Sequence, residues 1–333
     1  MSSYDLPSGG QVLTQEQLRA TLKYVRLQII SPLSLLVSIG ANIFRAKWQN
    51  VELEPPIDCP GCPPVDISRA HPTLFTPLSV MISGYWTVVY ALQIGFCLML
   101  VLARSAETKD VLMRGVGMRF SIANWLMAGW AVFWTLQTSW SFMVAEVLLI
   151  LNSLILGTIY LTLHRHYHFS TGTWLFVYTP MKMMLAIVFL LEWLDNGFIV
   201  LGWESRDPAT YAKYSWQAIG ILAGVNVVGL LMVFVTKDLV WTVSAEYLLV
   251  SLLLKKPKPF TMVVTLFIFL ALYPFTYLAS IFFHSARTRE GRIRLEEEAV
   301  AASHEAVAPP ATARAHAGTV PPAAPVASGT EGV

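Results

Sequence analysis

Polar and apolar positions alternate along this chain on the scale of whole helices rather than of single turns. Apolar runs of about twenty residues, the length an α-helix needs to cross a bilayer, fall at about 76–103, 117–136, 139–163, 174–201, 214–235 and 260–283. A shorter run at 239–254 and one at 27–44, which carries Gln28, Pro32 and Asn42 but no charge, bring the expected spans to eight. Gln137-Thr138 leaves room only for a tight turn between the third and fourth spans. Ahead of the first run, Thr14 with Gln17 three residues on has the spacing of a capping box and predicts a short surface helix to about Arg26. The expected fold is all-α, a polytopic integral membrane helical bundle.

The remaining segments are polar. Residues 1–13 carry Pro7, Gly9 and Gly10 and read as a tail, and the loop over 45–74 holds Glu52, Glu54, Asp58 and Asp66. Six prolines around Cys59-Pro60-Gly61-Cys62 exclude regular structure there. The Cys59/Cys62 pair is compatible with a local disulfide in an oxidising compartment, with two free thiols, or with a redox or metal half-site. A second such pair would be needed for zinc, and the third cysteine, Cys97, lies in an apolar run. After His284 the chain turns charged, then rich in Ala, Pro, Thr and Gly, a composition that cannot bury a core. Arg287 to Glu298 reads either as a brief helix leaning on anionic headgroups or as an ordinary basic flank. The expected divisions are a cytoplasmic tail and surface helix over 1–26, a bundle over 27–284 and a disordered cytoplasmic tail over 285–333.

Composition agrees with that pattern: 55% of residues are hydrophobic and only 13% charged, against about 25% charged in soluble domains. A net charge of +2 without a long basic run excludes nucleic acid as a partner. The chain has no phosphate loop, nucleophile elbow or HExxH, so neither enzyme chemistry nor a cofactor is expected. His164 and His168 would share a helix face, yet no further ligand is evident and no metal is expected. Residues 1–22 are polar and mixed in charge, unlike a cleavable signal peptide. Arg19, Lys23, Arg26, Arg104, Lys109, Arg114, Arg119, Arg165, Lys237 and the arginines at 287–294 share one side of an eight-span topology, which predicts both termini in the cytoplasm. Lys255, Lys256 and Lys258 fall on the other side.

Within this apolar chain a short phrase recurs one hundred residues apart: Ala145-Glu146-Val147-Leu148-Leu149 and Ala245-Glu246-Tyr247-Leu248-Leu249. Thr76-Pro77 and Thr179-Pro180 open the second and fifth spans, Gly95-Phe96 and Gly197-Phe198 lie near their ends, and Asn124 and Asn226 sit within the third and sixth. Segments 75–163 and 174–256 therefore read as two three-helix copies, which an odd helix number inserts in opposite senses, as in the inverted repeats of many transporters. Chance likeness between leucine-rich segments is the alternative. Carboxylates in apolar spans are costly and mark proton or ion pathways. Glu146 and Glu246, together with Glu192 and Asp195 of the fifth span, are thus candidate proton-coupling groups; structural bonding to a neighbouring helix, or proximity to water, is the alternative for each. Asp195 and Asn196 follow Glu192 by three and four residues, so the three are expected to share one broad helix face. Lys182 is expected to snorkel to the boundary.

The second span reads Ser83-Gly84-Tyr85-Trp86-Thr87-Val88-Val89-Tyr90, followed by Gly95. With Pro77 upstream, this resembles the Trp-x-x-x-Tyr phrase of the translocator family of tryptophan-rich sensory proteins (TspO/MBR). Asn124, Trp130 and Phe133-Trp134 resemble that family's Asn, Trp and aromatic pair, and Leu175-Phe176-Val177-Tyr178-Thr179-Pro180 is similar to a phrase of its longer bacterial-type relatives. The likeness is strongest over 73–163. Family members are usually compact five-helix proteins, so eight spans, the CPGC loop and the long tail depart from the pattern. The resemblance implies a small apolar ligand, a tetrapyrrole, sterol or similar molecule, bound or moved in an intramembrane pocket lined by Trp86, Tyr90, Asn124, Trp130 and Trp134. The expected partners are membrane lipid and that ligand. A proton-coupled transporter built on the inverted repeat, and a non-catalytic structural membrane protein, are the alternatives.

Overall fold

A computed structural model describes residues 15–48, 70–167, 170–204 and 213–307. Among the described residues the regular structure is helical: α1 (Gln15–Trp48), α2 (Ser79–Leu102), α3 (Ala106–Asp110) running into a π turn (Val111–Val116), α4 (Met118–Thr135) and α5 (Ser139–His166). There follow α6 (Thr171–Val200), α7 (Ser215–Thr236), α8 (Leu239–Leu254) and α9 (Phe260–Val307). Six of these, α1, α2, α5, α6, α7 and α9, are long and apolar enough to cross a membrane, and α8 is a shorter apolar helix. Two compact units divide the chain, one ending at Ser280 and the other beginning at Ile281.

The core of the first unit forms around α6. Its apolar window is 72% buried, against no more than 39% for the other five candidate spans, so α6 is the central helix and the others spend much of their surface on the surroundings. In the first half of the chain α1 packs along α4, α4 along α5, and the end of α6 against α5; in the second half α8 packs against the middle of α6. Between α2 and α6 the approach is close enough to require glycine. A β-carbon on Gly95 would run into the Phe176 ring.

Turn chemistry fixes the hairpins. Gln137 adopts a left-handed φ of 50° and Thr138 then caps α5, accepting from the Ser141 amide at 3.3 Å while the Ser141 hydroxyl accepts from the Thr138 amide at 3.0 Å. Lys237 is left-handed at φ 53° and Asp238 caps α8 through the Trp241 amide at 3.2 Å. Gly117, at φ 57°, turns the chain from the π segment into α4.

Several boundaries differ from the sequence reading. The surface helix and the first span are one continuous α1, because neither glycine nor proline stands at the junction of Arg26 and Leu27 and Pro32 is absorbed within the helix. Thr179-Pro180 does not open the fifth helix but lies two turns inside α6, directly after a π turn at Trp174–Tyr178, whereas Thr76-Pro77 does precede α2. Helix α9 continues to Val307, past the expected limit at Glu298. Cys59 and Cys62, the capping residue Thr14 and the chain from 308 onward lie outside the described residues. Cys97 is a free, buried thiol.

Candidate functional site

Where α1 and α4 end, α2 and α5 begin and α6 nears its end, polar side chains collect in the interior. The π turn Val188–Glu192 in α6 shifts the helical register just ahead of them, and Glu192, Asp195 and Asn196 reach three different elements in place of one shared face. Glu192 accepts from the Trp86 indole of α2 at 3.2 Å. Asp195 accepts from the hydroxyls of Thr73, at 2.5 Å, and Thr76, at 3.2 Å. Asn196 donates to Glu146 of α5 at 2.8 Å and to the Phe142 carbonyl at 3.0 Å.

The Thr73–Thr76 turn is preformed for its role. The Thr73 amide donates to the Thr76 hydroxyl at 2.8 Å and the Phe75 amide to the Thr73 hydroxyl at 3.0 Å, which turns both hydroxyls toward Asp195. Lys258, in the connection between α8 and α9, holds the same turn from the other side through the Leu74 carbonyl at 2.5 Å. Burial pushes its ammonium pKa down to about 8, with the nearby Asp195 carboxylate opposing that shift and Lys255 adding to it.

A cavity of about 130 Å³ opens among these groups, walled by Arg45, Pro77, Ser83, Trp134, Glu192 and Asp195. Arg45 enters from the end of α1 and lies over the Trp130 ring, 4.6 Å from its centre. Its Nε is buried without a hydrogen-bond partner. Trp130 and Trp134 lie 5.9 Å apart, and Trp86 stacks on Tyr90 at 5.4 Å. The Tyr90 hydroxyl accepts from Asn42 at 2.7 Å, which ties α2 to α1 one turn before Arg45.

The structure thus gathers Trp86, Tyr90, Trp130, Trp134, Glu192 and Asp195 at one place and attaches Glu146 to it through Asn196. Asn124 stands apart, six residues or about 9 Å along α4 from Trp130, where it donates to the Phe120 carbonyl at 3.1 Å. Glu246 is also elsewhere: it is half-buried in α8 with its Oε1 unpartnered. Near it, the Tyr273 hydroxyl joins α9 to Asn226 of α7 at 3.1 Å. Among the described residues no group of three His, Cys, Asp or Glu could hold a metal, and His164 stacks on Tyr160; His168 lies outside them.

Sequence reasoning missed Arg45, Thr73, Thr76 and Lys258. Arg45 directly follows the last apolar residue of the first run and looked like the start of a loop; its signal is the helical spacing Ser38, Asn42, Arg45, which puts three polar groups on one stripe. The snorkelling role expected of Lys182 is overturned. Its side chain is 1% exposed, ion-paired with the equally buried Asp238 and bonded to the Tyr178 hydroxyl, with the Tyr160 ring centre 4.4 Å away. A second cavity of about 310 Å³, strongly apolar, lies between α2, α6 and α8 beside Tyr85, Val88, Met183, Val243 and Tyr247.

The family model described as TSPO-like protein matches residues 61–283 of the chain. No curated protein and no solved structure matches it.

Proposed function

The chain belongs to the TSPO-like family, and from that premise we propose that it binds or moves a small apolar ligand whose polar group enters the cavity between Arg45 and Glu192. The apolar body of the ligand then lies on Trp86, Tyr90, Trp130 and Trp134. The reading rests above all on Arg45: its Nε is buried and unpartnered at the wall of a cavity that is also lined by Glu192, a carboxylate held by Trp86. A buried donor left open is costly, and a ligand acceptor would satisfy it. Pockets for whole drug-sized ligands run to about 300–1,000 Å³, so a cavity of about 130 Å³ takes a polar head and the body must part the aromatic side chains. As a member of this family with six membrane-length apolar helices, the chain is an integral membrane protein. Binding, not catalysis, is the activity proposed.

The full chain in detergent or nanodiscs, titrated with a porphyrin or with cholesterol, should show saturable quenching of tryptophan fluorescence at micromolar ligand. Trp86→Phe keeps the ring but frees Glu192 from its donor, and should weaken binding by about tenfold, the worth of one hydrogen bond to a charged group. Quenching that never saturates, or that is the same in Trp86→Phe, would refute the pocket.

One observation favours a second reading, a proton-coupled transporter built on opposed repeats. The hairpins α4–α5 and α7–α8 use the same device one hundred residues apart: a left-handed residue, Gln137 or Lys237, followed by a capping side chain, Thr138 or Asp238. Asn124 and Asn226, 102 residues apart in number, both bond the carbonyl four residues back, at 3.1 and 2.8 Å. On this reading Glu246, whose Oε1 has no partner, carries the proton, whereas Glu146 is tied to Asn196. Uptake into reconstituted vesicles should then lose its dependence on a pH gradient in Glu246→Gln; gradient-driven uptake that persists in that variant removes the reading.

A further inference from the structure

At the other end of α1 from Arg45 a larger cavity, of about 570 Å³, is walled by Arg19, Lys23 and Arg26 and closed by Arg114 and Gly117 of the turn into α4. The three α1 cations fall at i, i+4 and i+7, on one helix face, where like charges repel by a few tenths of a kcal/mol per pair. Four cations therefore meet around one space. Asp110, which directly precedes the π turn that carries Arg114, is already engaged, by Arg114 Nε at 3.1 Å and by the Tyr167 hydroxyl at 3.2 Å. Among the described residues no carboxylate pairs with Arg19, Lys23 or Arg26.

The walls of this space are fixed. Tyr24 and Gln28 both donate to the Leu100 carbonyl, at 2.6 and 2.7 Å, and pin α1 to the end of α2. Arg119 donates to the carbonyls of Arg114, at 3.0 Å, and Gly115, at 2.6 Å, and to the Thr162 hydroxyl of α5 at 2.9 Å, which locks the turn that carries Arg114. A flank that was basic only for topology would need no such scaffold. About a quarter turn around α1 from the cations, Leu22, Val25, Ile29, Leu33 and Leu36 form a continuous exposed stripe at helical spacing that begins level with Lys23 and runs on along the helix.

We infer that this cavity is a headgroup site for an anionic phospholipid. The lipid phosphate sits among Arg19, Lys23 and Arg26, with Arg114 at its edge, and the acyl chains run down the Leu22–Leu36 stripe. Basic pockets between membrane helices suit such headgroups, and each cation near an anionic surface adds roughly a factor of five in affinity. The stripe is what selects lipid over a free phosphate ion, since the ion would leave it unused.

The test uses the full-length protein in a neutral detergent, titrated by native mass spectrometry with dioctanoyl phosphatidic acid, with dioctanoyl phosphatidylcholine and, by thermal shift, with inorganic phosphate. Wild-type protein should prefer the acidic lipid by at least about tenfold, and the variant Arg19→Gln/Lys23→Gln/Arg26→Gln should bind both lipids alike while melting as the wild type does. The control variant Arg287→Gln/Arg289→Gln removes positive charge elsewhere and should keep the preference. Equal binding of the two lipids by wild type, or an equal loss of preference in the control, overturns the site. Stabilisation by inorganic phosphate as large as that by the acidic lipid overturns its assignment to lipid.

Discussion

Lys182→Met should lower the stability of the bundle by about 3–5 kcal/mol, the range for removing one member of a buried ion pair. Both partners are 1% exposed, so the lone Asp238 carboxylate could not recruit water in place of the ammonium. The same change empties the space between the Tyr160 and Tyr178 rings, whose centres lie 4.4 and 3.7 Å from the Lys182 nitrogen. Asp238 has a second duty, since its other oxygen caps α8, and a substitution that neutralises it while keeping the cap separates the two. Lys182→Met/Asp238→Asn should therefore recover more than half of the loss, because asparagine accepts from the Trp241 amide as aspartate does. Thermal melting or denaturant titration of purified protein in mild detergent reads both variants. A double variant no more stable than Lys182→Met would show that the charge pair is not what joins α6 to the α7–α8 hairpin.

That pair also marks where the sequence stops being informative. The helices were legible because a bilayer leaves the backbone no choice but to satisfy itself, and the runs at 214–235 and 239–254 are met by α7 and α8 within a residue. The Gln137-Thr138 turn was legible for the same reason, two long helices with no room between them. Trp86, Tyr90, Trp130 and Trp134 are singled out by their resemblance to a family phrase, and their closeness in space could not have come from spacing, since they lie on two helices joined only by tertiary packing. Lys182 was misread because its partner lies 56 positions away and helical periodicity carries no long-range information. Glu192, Asp195 and Asn196 were read as one face because an ideal α-helix was assumed; the π turn ahead of them was invisible in Val188–Glu192, a run of ordinary apolar residues closed by a glutamate. Arg45 falls at the first position of the loop expected over 45–74, and what holds it inward, the Trp130 ring on α4, is distant in sequence.

On the proposed reading the two acids of α6 divide the structural and the binding work between them. Asp195 also borders the cavity, but two threonine hydroxyls donate to its Oδ1 and Lys258 stands behind them, so it clamps the 73–76 turn over the end of the bundle. Asp195→Leu should cost about 2–5 kcal/mol of stability, because it strands two hydroxyls and a desolvated ammonium at once. Glu192 accepts a bond from Trp86 and otherwise borders the cavity that Arg45 also lines. Glu192→Gln preserves its shape and its acceptor oxygen, so melting should stay close to wild type while the affinity for an apolar ligand with a polar head falls by about tenfold, through the lost charge-assisted bond. Melting curves and ligand titrations on the two variants form a crossed comparison. If Glu192→Gln melts as low as Asp195→Leu and binds ligand as wild type does, both acids are structural and the cavity beside Arg45 is not where a ligand is held. If the losses separate, three residues of one helix carry a clamp and a recognition group side by side, kept apart by the π turn that aims them at different neighbours.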